Sequence, residues 1–316
     1  MTVPVIVQGL GPMGLRILEG ALRDPALRVL GGVDVDPDLV GRPLADLVPG
    51  APPGLVHGCL AEAADAHPPG TVVLQAIGSR VAAVVPVLDE AAGLGLHVVS
   101  TCEELAWPYA RHDGLVGCVH HAALASGVTL VATGVNPGFL MDRLVVALRS
   151  ATHDVRRIRV ERVQDPRPRR LPFREKVGVG LARAAWDDLA ATGTFGHVGL
   201  EESARLVAAG FGWEIERFEG RLEPVQPDPD GPVLGTLQEL WGETADGRRL
   251  ELHFAAHSGV AASYDAIRLD GTPPISLRFD GGVFGDDATV AAVLAAARVI
   301  PRAPRGLVTV LDLPLR

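Results

Sequence analysis

The chain is 316 residues long, 47% hydrophobic and 21% charged, with a formal charge of −9. That length holds a sizeable core and most naturally two domains, and the composition is that of a globular rather than a disordered protein. The acidic balance excludes a broad nucleic-acid surface, and no stretch reaches the roughly eighteen uninterrupted apolar residues that a membrane span requires.

The first element is decisive. Val3 to Val7 is apolar and mostly β-branched, as a strand buried on both faces should be. It runs into Gly9-Leu10-Gly11-Pro12-Met13-Gly14, a G-x-G-x-x-G motif, and then into a segment with helical spacing of apolar residues. A tight turn between a strand and a helix brings backbone N–H groups and a helix N-terminus up to a pyrophosphate. Gly9, Gly11, Pro12, Met13 and Gly14 are therefore candidate cofactor-binding residues, for NAD or NADP.

The next strand, near 28–34, ends at Asp34, twenty residues after Gly14. An acid there is placed to hydrogen-bond the adenosine ribose and to repel a 2′-phosphate. Asp36 either shares that role or caps the turn before Pro37. Arg16, in the first helical turn, pulls toward NADP, so the cofactor preference stays open.

Strands are expected near 3–8, 71–77, 96–100 and 128–132, with helices near 13–23, 80–93 and 112–126. This alternation predicts a Rossmann-type doubly wound parallel sheet with right-handed crossovers. Ligands bind outside the carboxyl ends of such strands, where Ala76, Gly78, Ser79 and Thr101 fall. The same rule draws attention to Ser100-Thr101-Cys102-Glu103-Glu104-Leu105. Two adjacent carboxylates there either serve chemistry beside the nicotinamide or decorate a helix start, where the dipole favours them. Cys102 reads as a packed thiol, since no basic partner is near in sequence. His120 and His121 point about 100° apart on a helix and do not chelate together, and no metal site is expected.

After another buried strand comes Gly134-Val135-Asn136-Pro137-Gly138-Phe139. The turn sets a rigid backbone that could fix the nicotinamide carboxamide through Asn136 and Pro137, or serve as a domain hinge with a helix starting at Asp142.

From about 136 the pattern changes. Strands are expected at 153–164, 211–225, 233–243 and 249–257, several alternating apolar and polar residues, as in an antiparallel sheet with one wet face. Helical pieces fall near 175–191 and 199–208. An apolar helix over 287–300 and the closing Gly306 to Val310 are expected to pack back on the first domain. The fold is thus α/β, a Rossmann domain (1–135 plus 286–316) with a second α+β domain (136–285) built on a mainly antiparallel sheet. Arg167-Pro168-Arg169-Arg170 reads as a solvated loop. Three widely spaced cysteines and the lack of a signal-peptide pattern point to the cytoplasm.

These motifs, together with Gly285-Asp286-Asp287-Ala288-Thr289 and Asp312-Leu313-Pro314, resemble the native NAD(P)-dependent amine dehydrogenases, relatives of 2,4-diaminopentanoate dehydrogenase. The likeness runs over nearly the whole chain, with a more distant one to the dihydrodipicolinate reductase N-terminal domain. It implies reductive amination of small aldehydes or ketones with ammonia, the reverse deamination, and a homodimer. It also implies that Glu104, rather than Glu103, is catalytic, with burial raising its pKa toward neutrality. His120-His121 is followed by Ala-Ala-Leu-Ala-Ser, without the Lys and Asp of the reductases, which argues against reduction of dihydrodipicolinate. Phe139, Met141, Gln164, Phe173 and Thr309 are candidate pocket walls, or simply core. Arg169, Arg170 and Arg174 keep a substrate carboxylate possible, so an amino-acid dehydrogenase is the alternative enzyme and an NAD(P)-sensing regulator the alternative outside catalysis.

Overall fold

Val3–Gln8 forms β1, whose last four residues are buried, and six further strands run parallel in the same sheet. The computed structural model describes residues 2–110, 113–169 and 171–314. The chain divides into two units, Met1–Phe139 with Gly285–Arg316, and Leu140–Phe284.

In chain order the first stretch gives α1 (Pro12–Arg23), β2 (Leu27–Val33), β3 (Val56–His57), α2 (Leu60–Ala66), β4 (Val72–Gln75), α3 (Val81–Gly93), β5 (His97–Ser100), α4 (Asp113–Ala125) and β6 (Thr129–Ala132). The middle stretch gives α5 (Arg143–Leu148), β7 (His153–Gln164), α6 (Leu171–Lys176), α7 (Arg183–Ala191), α8 (Leu200–Phe211), β8 (Phe218–Val225), β9 (Gly235–Glu243), β10 (Arg249–His257), β11 (Tyr264–Thr272) and β12 (Ile275–Asp280). The chain returns to the first unit through α9 (Gly285–Val299) and β13 (Gly306–Val308).

The first sheet has the order β3-β2-β1-β4-β5-β6-β13, every pair parallel. Its order reverses between β1 and β4, which opens a crevice at the carboxyl ends of those two strands. Val72, Val73, Leu74, Val98 and Val99 are fully buried, because helices cover both faces of such a sheet. The C-terminal strand joins the same sheet: β13 pairs with β6.

The second sheet has the order β12-β11-β7-β10-β9-β8 and is antiparallel except for β7 with β10. Period-two alternation sets its faces. Ile158 and Val160 of β7 and Leu250, Leu252 and Phe254 of β10 pack with Val207 and Phe211 of α8. The intervening Arg157, Arg159 and Glu161 take part in ion pairs, with Arg157 2.7 Å from Glu251.

The structure corrects several sequence expectations. Residues 211–217 are not strand: Phe211 ends α8, and β8 begins at Phe218. The helix expected over 175–191 is two, α6 and α7, separated where Gly178 and Gly180 take positive φ. Strands β3, β11 and β12 and helix α2 carried no recognised signal. β3 is two residues long, and β11 ends in Asp270-Gly271-Thr272 where apolar alternation stops.

Candidate active site

The glycine turn is built for close backbone approach. Gly9 has φ +81°, and a Cβ on Gly14 would lie 1.7 Å from the Gly9 carbonyl oxygen. A Cβ on Gly11 would meet nothing within 4 Å, so the turn faces open space there. Gly11 is the N-cap of α1, no side chain caps the helix, and Pro12 takes a position where no amide is needed. Such a turn suits the pyrophosphate of a dinucleotide, with the first-turn amides of Met13 and Gly14 as donors.

Asp34 lies just past β2, beside this turn. Its Oδ2 accepts the Leu10 amide at 2.6 Å and its Oδ1 the Asp36 amide at 3.0 Å. Asp36 in turn caps the Asp38 amide at 2.9 Å, which is the turn-capping role. Arg16 points elsewhere: its guanidinium pairs with Asp287 of α9 at 3.0 Å. The end of β2 therefore carries Asp34, Asp36 and Asp38 without Arg16 to offset them.

Past β4, Ala76 and Ser79 are partly exposed and Gly78 is exposed. Past β5 and β6, Thr101 is partly exposed and Asn136 and Pro137 are buried. Val135 donates its amide to Thr289 Oγ1 at 3.3 Å, tying the Asn136 turn to α9.

Glu103–Ala106 forms a single 3-10 turn past β5. Glu104 is 6% exposed. Its Oε1 accepts from Arg80 Nη1 at 2.6 Å, and its Oε2 accepts the Val81 amide at 2.8 Å. The carboxylate thus caps the N-terminus of α3 and pairs with Arg80, rather than sitting isolated in an apolar pocket. Arg80 carried no sequence signal beyond preceding a helix. Cys102 is packed, and burial pushes its thiol up to about 12.

The remaining candidates are distributed between the units. Phe139, at the end of a segment of the first unit, is 44% exposed. Thr309 uses its hydroxyl in a capping box, donating to Asp312 at 2.8 Å and accepting the Leu311 amide. In the second unit Met141 lies in the core at 1% exposure, and Gln164, buried, donates to the Val163 carbonyl at 3.2 Å. Phe173 packs on that core with the Arg169 guanidinium 4.2 Å from its ring centroid. Arg174 is exposed, and Arg170 lies outside the described residues. Asp142 is the N-cap of α5, accepting the Arg143 amide and the Ser203 hydroxyl. His120 and His121 each bond a backbone carbonyl, of Leu307 and Gly117.

The second unit also holds groups that sequence reasoning missed. Arg162 and Asp265, both nearly inaccessible, pair at 2.7 Å and grip the backbone of Val283. His197 stacks on Phe254 with centroids 4.4 Å apart. Burial, with Lys176 and Arg162 nearby, pushes its pKa well below the usual value. The signal for Arg162 was an arginine on the apolar side of an alternating strand.

Residues 139–228 match the family described as the 2,4-diaminopentanoate dehydrogenase C-terminal domain. The whole chain aligns with 2,4-diaminopentanoate dehydrogenase of Acetoanaerobium sticklandii at 26% identity, covering 99% of this chain and 94% of that protein. The chain is thus similar to 2,4-diaminopentanoate dehydrogenase over nearly its whole length. Solved structures agree on the fold. The amine dehydrogenase of Mycobacterium smegmatis superposes with a TM-score of 0.85 at 21% identity, over 100% of this chain and 97% of that one. Dihydrodipicolinate reductase of Paenisporosarcina gives 0.55 at 13% identity, over 99% of each chain. The segment matched by the family model begins at the last residue before the second unit.

Proposed function

We propose that the chain is an NAD(P)H-dependent amine dehydrogenase. It joins ammonia to small aldehydes or ketones reductively and, in reverse, deaminates amines oxidatively. The observation that carries this reading is the Glu104 carboxylate, held in place at the carboxyl end of β5 by Arg80 and the Val81 amide. That strand is two away from the glycine turn in the sheet order.

The dinucleotide, when bound, supplies or accepts a hydride. Gly9 to Gly14 and the start of α1 hold its pyrophosphate, Asp34 its ribose hydroxyls, and Asn136 its carboxamide. The acidic end of β2, with Arg16 turned to Asp287, supports NAD over NADP. Glu104 does the chemistry of charge. Its carboxylate holds the incoming ammonium and takes its proton. It returns that proton to the carbinolamine hydroxyl, which leaves as water, so the carboxylate is charged again when the iminium forms. The fixed negative charge favours a cationic iminium over the neutral carbonyl as hydride arrives. The second unit supplies the substrate-binding surface in this reading, and the working form is a cytoplasmic homodimer.

A second reading, a diamino-acid dehydrogenase, is supported by the alignment with 2,4-diaminopentanoate dehydrogenase over 99% of the chain. A screen of simple ketones and of keto acids, each with ammonia and with NADH or NADPH, separates the two. Absence of ammonia-dependent oxidation of either cofactor with every carbonyl overturns both.

A further inference from the structure

Three polar side chains close the carboxyl ends of adjacent strands in the first sheet. Gln8, Gln75 and Ser100 end β1, β4 and β5, and the register sets Gln8 beside Gln75 and Gln75 beside Ser100. They are 8%, 0% and 1% exposed. Polar groups buried that deeply are unfavourable unless each is hydrogen-bonded.

Their bonds form one directed chain. The Cys102 amide only donates, and it does so to Ser100 Oγ at 3.1 Å. The Ser100 hydroxyl therefore donates onward to Gln75 Oε1 at 2.8 Å, which leaves Gln75 Nε2 to donate to Gln8 Oε1 at 3.0 Å. Bonds aligned in this way polarise and strengthen one another. One end of the chain adjoins Gly9, where the dinucleotide turn begins. The other fixes Cys102, the N-cap of the turn that carries Glu104. Packing alone does not call for these residues: the positions just before them, Val7, Leu74 and Val99, are fully buried apolar side chains.

We propose that Gln75 and Ser100 are positioning residues, which hold the Glu103–Ala106 turn in register with the dinucleotide turn so that Glu104 meets the reacting atoms. This rests on the reading of Glu104 as the acid–base group. Neither side chain reaches the substrate in this scheme; both act through the Cys102 amide and the Gln8 side chain.

The test uses the full-length protein with Ser100→Ala and, separately, Gln75→Met, which keeps the side-chain length without its hydrogen bonds. Three quantities are read: kcat for reductive amination, NADH affinity by fluorescence, and amide exchange over residues 101–106 without cofactor. The expected result is a kcat lower by roughly tenfold to a hundredfold, with the Kd for NADH changed by less than about twofold. Amide exchange at Cys102 and Glu103 should quicken by about tenfold or more. Unchanged kcat, unchanged exchange, or a Kd that rises in step with the loss of kcat overturns the proposal. Either variant alone suffices if the other fails to fold. A wild-type protein that turns over no amine or carbonyl overturns the acid–base reading instead. That failure is distinguishable, because NADH binding and amide exchange are read without turnover.

Discussion

Glu104 Oε2 accepts the backbone amide of Val81 at 2.8 Å, so the carboxylate past β5 caps the helix that follows β4. A side chain proposed for acid–base work is thereby also part of the scaffold, and two substitutions separate the roles. Glu104→Gln keeps an acceptor for one donor and is expected to lose turnover by about a hundredfold or more with NADH affinity retained. Glu104→Ala, which leaves Arg80 and the Val81 amide without this partner, should in addition lose about 1–3 kcal/mol of stability in urea titration. Glu103→Gln should leave turnover near normal. Near-normal turnover in Glu104→Gln moves the acid–base role away from this residue.

Asp34 gives the cofactor prediction. Its carboxylate holds the Leu10 and Asp36 amides and lies at the end of β2, where Arg16 is absent because it pairs with Asp287. Asp34→Ser should weaken NADH binding by about tenfold, through loss of a charge-assisted acceptor, and NADPH binding by less. Equal losses for the two cofactors, measured by fluorescence titration, would show that Asp34 serves the turn alone.

Much of the first unit was legible because its signals are local. Val3 to Val7 followed by Gly9 to Gly14 fixes strand, turn and helix at once, and β5 ends at Ser100 within the span expected for it. The carboxylate pair at Glu103 and Glu104 was visible as residue types past a buried strand. Its partners were not, since Arg80 and Val81 are more than twenty residues away and reach Glu104 only through sheet topology. Gln75 stood in plain view as an amide inside an apolar strand, yet its meaning depends on Gln8 and Ser100 in neighbouring strands. In the second unit β11 escaped notice because Asp265 occupies a buried position, and only the paired Arg162 makes that acceptable. Met141 shows the converse: the sequence offered it as a pocket wall or as core, and it packs in the core of the second unit.

The glycines of the dinucleotide turn differ in what they tolerate. A Cβ on Gly14 would sit 1.7 Å from the Gly9 carbonyl oxygen, a contact that backbone must move to relieve. Gly14→Ala should therefore cost about 2–4 kcal/mol of stability, at the upper end of overpacking effects, along with cofactor affinity. Gly11 has φ −69° and ψ −173°, which alanine adopts freely, and open space where its Cβ would be. Gly11→Ala should leave the urea midpoint unchanged while weakening NADH binding, because the new methyl projects into the space proposed for the phosphates. Unaltered NADH affinity in Gly11→Ala would place the dinucleotide elsewhere.

His97 predicts an acid-sensitive component of stability. It is 5% exposed, and its Nδ1 accepts the Thr129 amide at 2.9 Å, so the neutral ring is the form that fits. Protonation would set an N–H against an N–H. Burial, reinforced by the charge of Arg305, lowers the pKa from the model-peptide 6.5 to about 4. Between those values the unfolded chain binds the proton and the folded chain does not, so stability rises with pH in that window. The contribution is fully present above 6.5 and is lost as pH falls toward 4, amounting to at most about 3 kcal/mol for a shift of this size. His97→Asn keeps an acceptor for the Thr129 amide but has no titrating ring. Its urea midpoint should fall less than that of the wild type between pH about 7.5 and about 4.5, by roughly one proton's worth of linkage. Parallel pH profiles for the two proteins would show that His97 is not the group responsible.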